Sequence, residues 1–70
     1  MTVKDLLNTA EYSFDEVRLY DLKGELVTKM EEDTLRRSYA NYTVRTFWIF
    51  VDYHSEFTVL ELTLNGKLDR

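Results

Sequence analysis

Three side chains able to bind a metal ion lie two positions apart: Asp52, His54 and Glu56. On a β-strand this spacing would place all three on one face, as a metal site needs. The segment 52–56 is polar, however, and is interpreted as a turn, in which that alignment is lost. We therefore predict no metal and no cofactor. A small metal-dependent enzyme using these three residues remains an alternative hypothesis.

Other catalytic arrangements have little support in the sequence. The chain has no cysteine, and Ser13, Ser38 and Ser55 lack a nucleophile-elbow motif. Glycine occurs only at positions 24 and 66, so no glycine-rich phosphate loop is present. A domain of this size rarely encloses a substrate. We predict no catalytic residue and a protein that is not an enzyme.

Charge and composition restrict the partners. The 70 residues include 13 Asp and Glu against 9 Lys and Arg, giving a net charge of −4. This balance disfavours direct binding of nucleic acid, which depends on a basic patch. The sequence has neither the apolar stretch of about 20 residues that spans a membrane nor a signal-peptide segment. We expect a cytoplasmic protein that does not bind membranes.

The acidic residues form two clusters, Asp15-Glu16 and Glu31-Glu32-Asp33. Solubility alone explains such clusters in most proteins. The alternative is a surface that competes with nucleic acid for a basic groove on another protein. These five acids are therefore candidate partner-binding residues.

The apolar run Phe47 to Val51 predicts a strand that needs cover on both faces, because successive side chains point to opposite sides. One face would carry Phe47, Ile49 and Val51, together with Val17, Leu19, Leu60 and Leu62 of other strands, under the helices. The opposite face would carry Arg18, Tyr20, Trp48 and Phe50, a mixture typical of interfaces between proteins. The alternative is a curled sheet, or a second helix that crosses over and buries Trp48.

Spacing predicts the remaining elements and a single domain over residues 1–70. Thr2 and Asp5 form a capping box at the start of the first helix, and the acids at 31–33 with the cap candidate Thr34 precede the second. The fold class is α+β: a small two-layer domain in α-β-β-α-β-β order. Its four-stranded antiparallel sheet would be built from two hairpins, with two short helices on one face. The predicted helices cover about 3–11 and 35–40, and the predicted strands cover 16–20, 26–30, 42 to about 53, and 57–64.

The order of these elements resembles a known group of proteins. The resemblance rests on Thr-Val-Lys-Asp-Leu-Leu at 2–7, Val-Arg-Leu-Tyr-Asp at 17–21 with Gly24, Tyr-x-Val at 42–44, and Val-Leu-Glu-Leu at 59–62. In these features the chain is similar to small uncharacterised proteins of phages and prophages of low-GC Gram-positive bacteria. Such proteins include inhibitors of host defence nucleases, anti-CRISPR proteins among them. The resemblance implies action in the host cytoplasm by binding a protein surface.

Two further hypotheses stand beside the enzyme. The first is a non-enzymatic binding protein that contacts its partner through Tyr20, Trp48 and Phe50, with Arg18. Its acidic residues would attract it to a basic partner such as a nuclease. The second is a small structural or regulatory homodimer whose sheet faces pack together, burying Trp48 between the subunits.

Overall fold

Two helices and four strands make up the computed structural model over the residues it describes, 1–10 and 13–66. Their order is α-β-β-α-β-β. No helix within those two ranges is long and apolar enough to cross a membrane. The elements are α1 (Val3–Thr9), β1 (Glu16–Tyr20), β2 (Leu26–Met30), α2 (Glu32–Tyr39), β3 (Val44–Asp52) and β4 (Phe57–Leu64).

Helix α1 begins with the predicted capping box. The Asp5 N–H donates to the Thr2 hydroxyl, and the Thr2 N–H donates to the Asp5 carboxylate. These bonds hold the pKa of Asp5 below its usual value, mainly through the Thr2 N–H. The helix ends at Thr9 because Ala10 is extended, so it is shorter than predicted. Residue 11, the end of the predicted helix, lies outside the described residues.

Helix α2 starts earlier than the sequence suggested. Glu31 is the N-cap, and the acids at 32 and 33 lie in the first turn rather than ahead of the helix. Arg36 and Arg37 lie in the last turn, so both ends suit the helix dipole. Leu35 is fully buried and fixes the face of α2 that contacts the sheet.

The sheet is mixed, which corrects the prediction of a purely antiparallel one. Its strand order is β2-β1-β4-β3: both hairpins are antiparallel, but β1 and β4 pair in parallel. The central strands β1 and β4 carry fully buried residues on the helix side, whereas the edge strand β2 carries none. A central position gives apolar side chains the most cover, because strands flank them on both sides. The connection through α2 takes the chain from one edge of the sheet to the other, so β4 returns alongside β1 in the same direction.

The core lies between the helices and one face of the sheet. Both helices contribute, and the strands contribute Val17, Leu19 and the alternate leucines of β4. Phe47 and Val51 lie on this side, as expected, but are 46% and 52% exposed, so the helices do not cover them. Strand β3 is therefore an edge that extends beyond the helices. The buried cluster is Val3, Leu6, Leu7, Phe14, Val17, Leu19, Leu35, Leu60, Leu62 and Leu64.

We expect Leu35→Ala to destabilise the domain by about 2–5 kcal/mol, because it leaves a cavity between α2 and the sheet. Urea unfolding, followed by circular dichroism, measures the change. Leu22→Ala is the matched control, since Leu22 is 57% exposed in the turn after β1 and should change little. Equal unfolding midpoints for the two variants would contradict this account of the core.

Candidate functional site: the open sheet face

The face of the sheet opposite the helices is not covered by any described element, and we call it the open face. Register places side chains from β1, β3 and β4 in adjoining rows on it, because paired residues point to the same side. Arg18, Glu61 and Trp48 form one such row. The other members from these three strands are Glu16, Tyr20, Thr46, Phe50, Asp52, Phe57, Val59 and Thr63.

Arg18 connects three carboxylates at the centre of the open face. Its guanidinium donates to Glu16 and lies 3.4 Å from an Asp52 oxygen and 3.9 Å from a Glu61 oxygen. The Glu16 hydrogen bond is the main cause that raises the pKa of Arg18. One positive charge among three negative charges leaves two in excess. Lys29, across from Arg18 on edge strand β2, adds a positive charge on that side only.

Tyr20 and Glu61 form a second polar contact. The Tyr20 hydroxyl donates to a Glu61 oxygen over 2.6 Å. This bond, with partial burial, raises the pKa of Tyr20 above its ordinary value of 10.0. The same Glu61 oxygen, Oε2, accepts this hydrogen bond and lies 3.9 Å from the Arg18 guanidinium, so both groups hold the carboxylate in position.

The aromatic side chains divide into a packed ring and an exposed one. Phe50 lies under the Arg18 guanidinium, 5.6 Å from ring centroid to Cζ, a cation–π arrangement. Val59, paired with Phe50 across the strands, is fully buried although no helix covers it. Trp48 is 67% exposed and, with Glu61, lines two shallow depressions, one towards Tyr20 and one towards Asp52.

The structure brings some predicted residues together and separates others. Arg18, Tyr20, Trp48, Phe50 and Glu16 share the open face, as the alternation of β1 and β3 indicated. The alternative in which α2 crosses over Trp48 is wrong for the described residues.

The other predicted acids lie elsewhere. The Asp15 carboxylate accepts the Thr58 N–H over 2.9 Å and so joins β1 to β4. Glu32 accepts the Phe14 N–H over 3.1 Å and lies 4.0 Å from Arg36. Glu31 and Asp33 line a groove with Asp15 and Glu32, away from the open face. Asp15 and Glu32 therefore have a structural use, which does not require a partner.

Residues 53–56 form a turn, as the polarity of the segment predicted, whereas Asp52 is the last residue of β3. The Glu56 N–H donates to the Asp52 carbonyl, and Glu56 adopts a positive φ of 61°. Asp52 points to the open face, and its carboxylate also accepts the His54 N–H, the main cause of its lowered pKa. No group of three potential ligands in residues 1–10 and 13–66 is placed to hold a metal ion.

Sequence reasoning missed Asp52 and Glu61 as members of the site. Both could have been found from alternation. Asp52 follows Trp48 and Phe50 at steps of two, and Glu61 alternates with Leu60 and Leu62, which face the core. The parallel β1–β4 pairing that places Glu61 beside Arg18 could not be read from spacing.

We expect the pH dependence of stability to reveal the Tyr20–Glu61 contact. The folded-state pKa of Tyr20 is raised, so this contact stabilises the fold below about pH 10 and is lost as pH rises through the higher folded-state value. Above pH 10 the urea midpoint of Tyr20→Phe should therefore fall less steeply with pH than the urea midpoint of the native chain. Urea midpoints between pH 8 and 11.5 test this. Tyr53→Phe, at a fully exposed site, is the control, and identical slopes for all three proteins would refute the contact.

Comparisons with known proteins add no further assignment. No protein-family model matches the chain, and no curated protein or solved structure shows significant similarity to it. The geometry of the open face is therefore the basis on which a function is argued.

Proposed function

We propose that this chain is a non-enzymatic protein-binding module that uses its open face to bind a basic region of another protein. The observation that carries the proposal is Trp48, a large ring 67% exposed beside carboxylates that are already held in place. The partner we favour is a nucleic-acid-binding protein, such as a defence nuclease.

The aromatic part of the surface supports a protein partner. Tryptophan, tyrosine and arginine dominate the energetics of protein interfaces, because they bury large areas and also offer polar groups. Trp48 stands between two shallow depressions, and neither encloses a small molecule. A partner side chain could occupy either depression while contacting the indole ring.

The electrostatic part supports a basic partner. Glu16, Asp52 and Glu61 hold two negative charges in excess of Arg18, next to the exposed ring. Their oxygens are oriented by Arg18 and Tyr20, so less side-chain entropy is lost on binding than for free surface acids. Fixed carboxylates of this kind suit the Lys and Arg side chains that nucleic-acid-binding proteins present to phosphates.

The choice of a nuclease rests on two supports of different kinds. The net negative charge of the chain disfavours binding to nucleic acid and favours binding to the basic surfaces that nucleic acid itself occupies. The resemblance to small phage proteins implies inhibition of host nucleases. In this proposal the chain inhibits by occupying the basic groove of the nuclease, and no bond is made or broken.

Purified nucleases with basic DNA channels, one RNA-guided and one restriction endonuclease, provide the test. We expect the native chain to inhibit DNA cleavage by at least one of them at stoichiometric concentration. Trp48→Ala should weaken binding, measured by calorimetry, by about 30-fold or more, as for an interface hot spot. The control is Leu22→Ala, which changes a 57% exposed residue in the turn between β1 and β2.

A charge-matched pair tests the electrostatic part separately. Glu61→Gln should reduce both affinity and its dependence on salt, because it removes a fixed carboxylate from the open face. Glu25→Gln removes the same charge from the exposed β1–β2 turn and should leave both unchanged. Failure to inhibit either nuclease contradicts the favoured partner, and inhibition unaffected by Trp48→Ala contradicts the surface.

A further inference from the structure

Strand β3 is an edge of the sheet with apolar side chains exposed on both faces. Phe47 and Val51 on the helix side are 46% and 52% exposed, and Trp48 on the open face is 67% exposed. Among the described residues only β4 pairs with this strand along its length, so backbone groups on its outer side are free to pair. Edge strands of natural proteins are usually short or charged, whereas β3 has nine residues.

The N-terminal segment covers only the start of this edge. The Val44 N–H donates to the Met1 carbonyl over 2.8 Å, and the Val3 N–H donates to the Tyr42 carbonyl over 2.9 Å. These bonds form an antiparallel bridge between Thr2 and Thr43, and a bulge follows between Val44 and Thr46. The uncovered edge therefore runs over 46–52, and its central residue is Ile49.

We propose that a second copy of this chain pairs with the uncovered edge of β3, antiparallel and related by a two-fold axis at Ile49. In this register Phe47 lies opposite Val51 of the other copy, Trp48 lies opposite Phe50, and the two Ile49 residues lie opposite each other. The five-residue apolar run is symmetric in character about its centre, so every pair within it joins two apolar side chains. The result is one eight-stranded sheet.

Other symmetric registers fit the edge less well. A two-fold axis at Trp48 would bring Asp52 of one copy opposite Val44 of the other, whose N–H is already bonded to Met1. An axis at Phe50 would place Trp48 opposite Asp52 and run the pairing into the turn at 53–56. The Ile49 register uses the whole uncovered edge and opposes no like charges, since Asp52 then lies opposite Thr46.

A second copy suits this edge for two further reasons. Pairing through a two-fold axis uses the edge once in each copy, so the assembly closes at two chains. The other edge, β2, has five residues and carries Lys29, which discourages extension of the sheet. The contact is small beside the roughly 800 Å² per partner of a standard interface, so we expect a dimer that dissociates on dilution to the micromolar range.

This edge pairing differs from packing two open faces together. In the edge-paired dimer, Trp48 and Phe50 contact each other laterally and still face outward on the open face. The dimer does not depend on the proposed function, and it would present two copies of the acidic site on one continuous surface.

Light scattering of the intact chain from about 5 µM to 1 mM tests the dimer. The small contact area is expected to give a dissociation constant within this concentration range. We expect the mass to rise from monomer to dimer, and Val51→Lys to raise the dissociation constant at least tenfold. Leu22→Lys is the control, because Leu22 is similarly exposed, at 57% against 52% for Val51, but lies in the turn between β1 and β2. A monomer at 1 mM overturns the proposal. So does a dimer that Val51→Lys leaves intact, since Val51 lies on the helix side and face-to-face packing would not touch it.

Cysteine pairs test the register, because the chain has no cysteine of its own. Equimolar mixtures of Phe47→Cys with Val51→Cys, and of Trp48→Cys with Phe50→Cys, are oxidised and their disulfide-linked dimers are counted by mass. One of these two residue pairs occupies a non-hydrogen-bonded position of the antiparallel ladder, where side chains are closest. In the mixture that tests this pair, we expect disulfides between the two different variants to exceed disulfides between identical variants. Preferential linkage of Trp48→Cys or Phe50→Cys to itself would overturn the Ile49 register.

Discussion

Two helices of seven and eight residues must cover a four-stranded sheet, and they are long enough to cover only part of one face. The core therefore concentrates under them, at β1 and β4, where burial is complete. No other described element covers the open face or the outer edge of β3 over residues 46–52. A domain of this size buries barely enough apolar surface for stability. Because the two helices provide most of that cover, their placement determines which surface of the sheet stays exposed.

Arg18 covers apolar side chains at the centre of the open face, where no described helix packs. Its guanidinium covers Phe50, and Phe50 pairs with Val59, which is fully buried without a helix above it. A charged group can do this because its hydrogen bonds to carboxylates remain at the surface while its stem covers apolar atoms. The polar contacts thus serve stability and leave an acidic surface as well.

Local patterns in the sequence predicted most elements but not how they are combined. Strands 16–20, 26–30 and 57–64 are confirmed residue for residue, because alternation and turn residues are local signals. The direction of β1 relative to β4 depends on contacts between distant parts of the chain, and the antiparallel prediction failed there. The open-face residues Arg18, Tyr20, Trp48 and Phe50 were predicted from alternation alone. Their ion-pair partners Asp52 and Glu61 were not, because those contacts arise from the strand order.

The position of β4 has a consequence for synthesis on the ribosome. It is the last of the described strands in sequence, yet it occupies the middle of the sheet, and its Thr58 bonds to Asp15 across 43 positions. A growing chain that ends before β4 holds one hairpin, two short helices and an unpaired β3, and an isolated hairpin is marginally stable in water. The nascent polypeptide thus has no complete core until β4 emerges, and until then Phe47–Val51 is available to chaperones that hold unfolded chains.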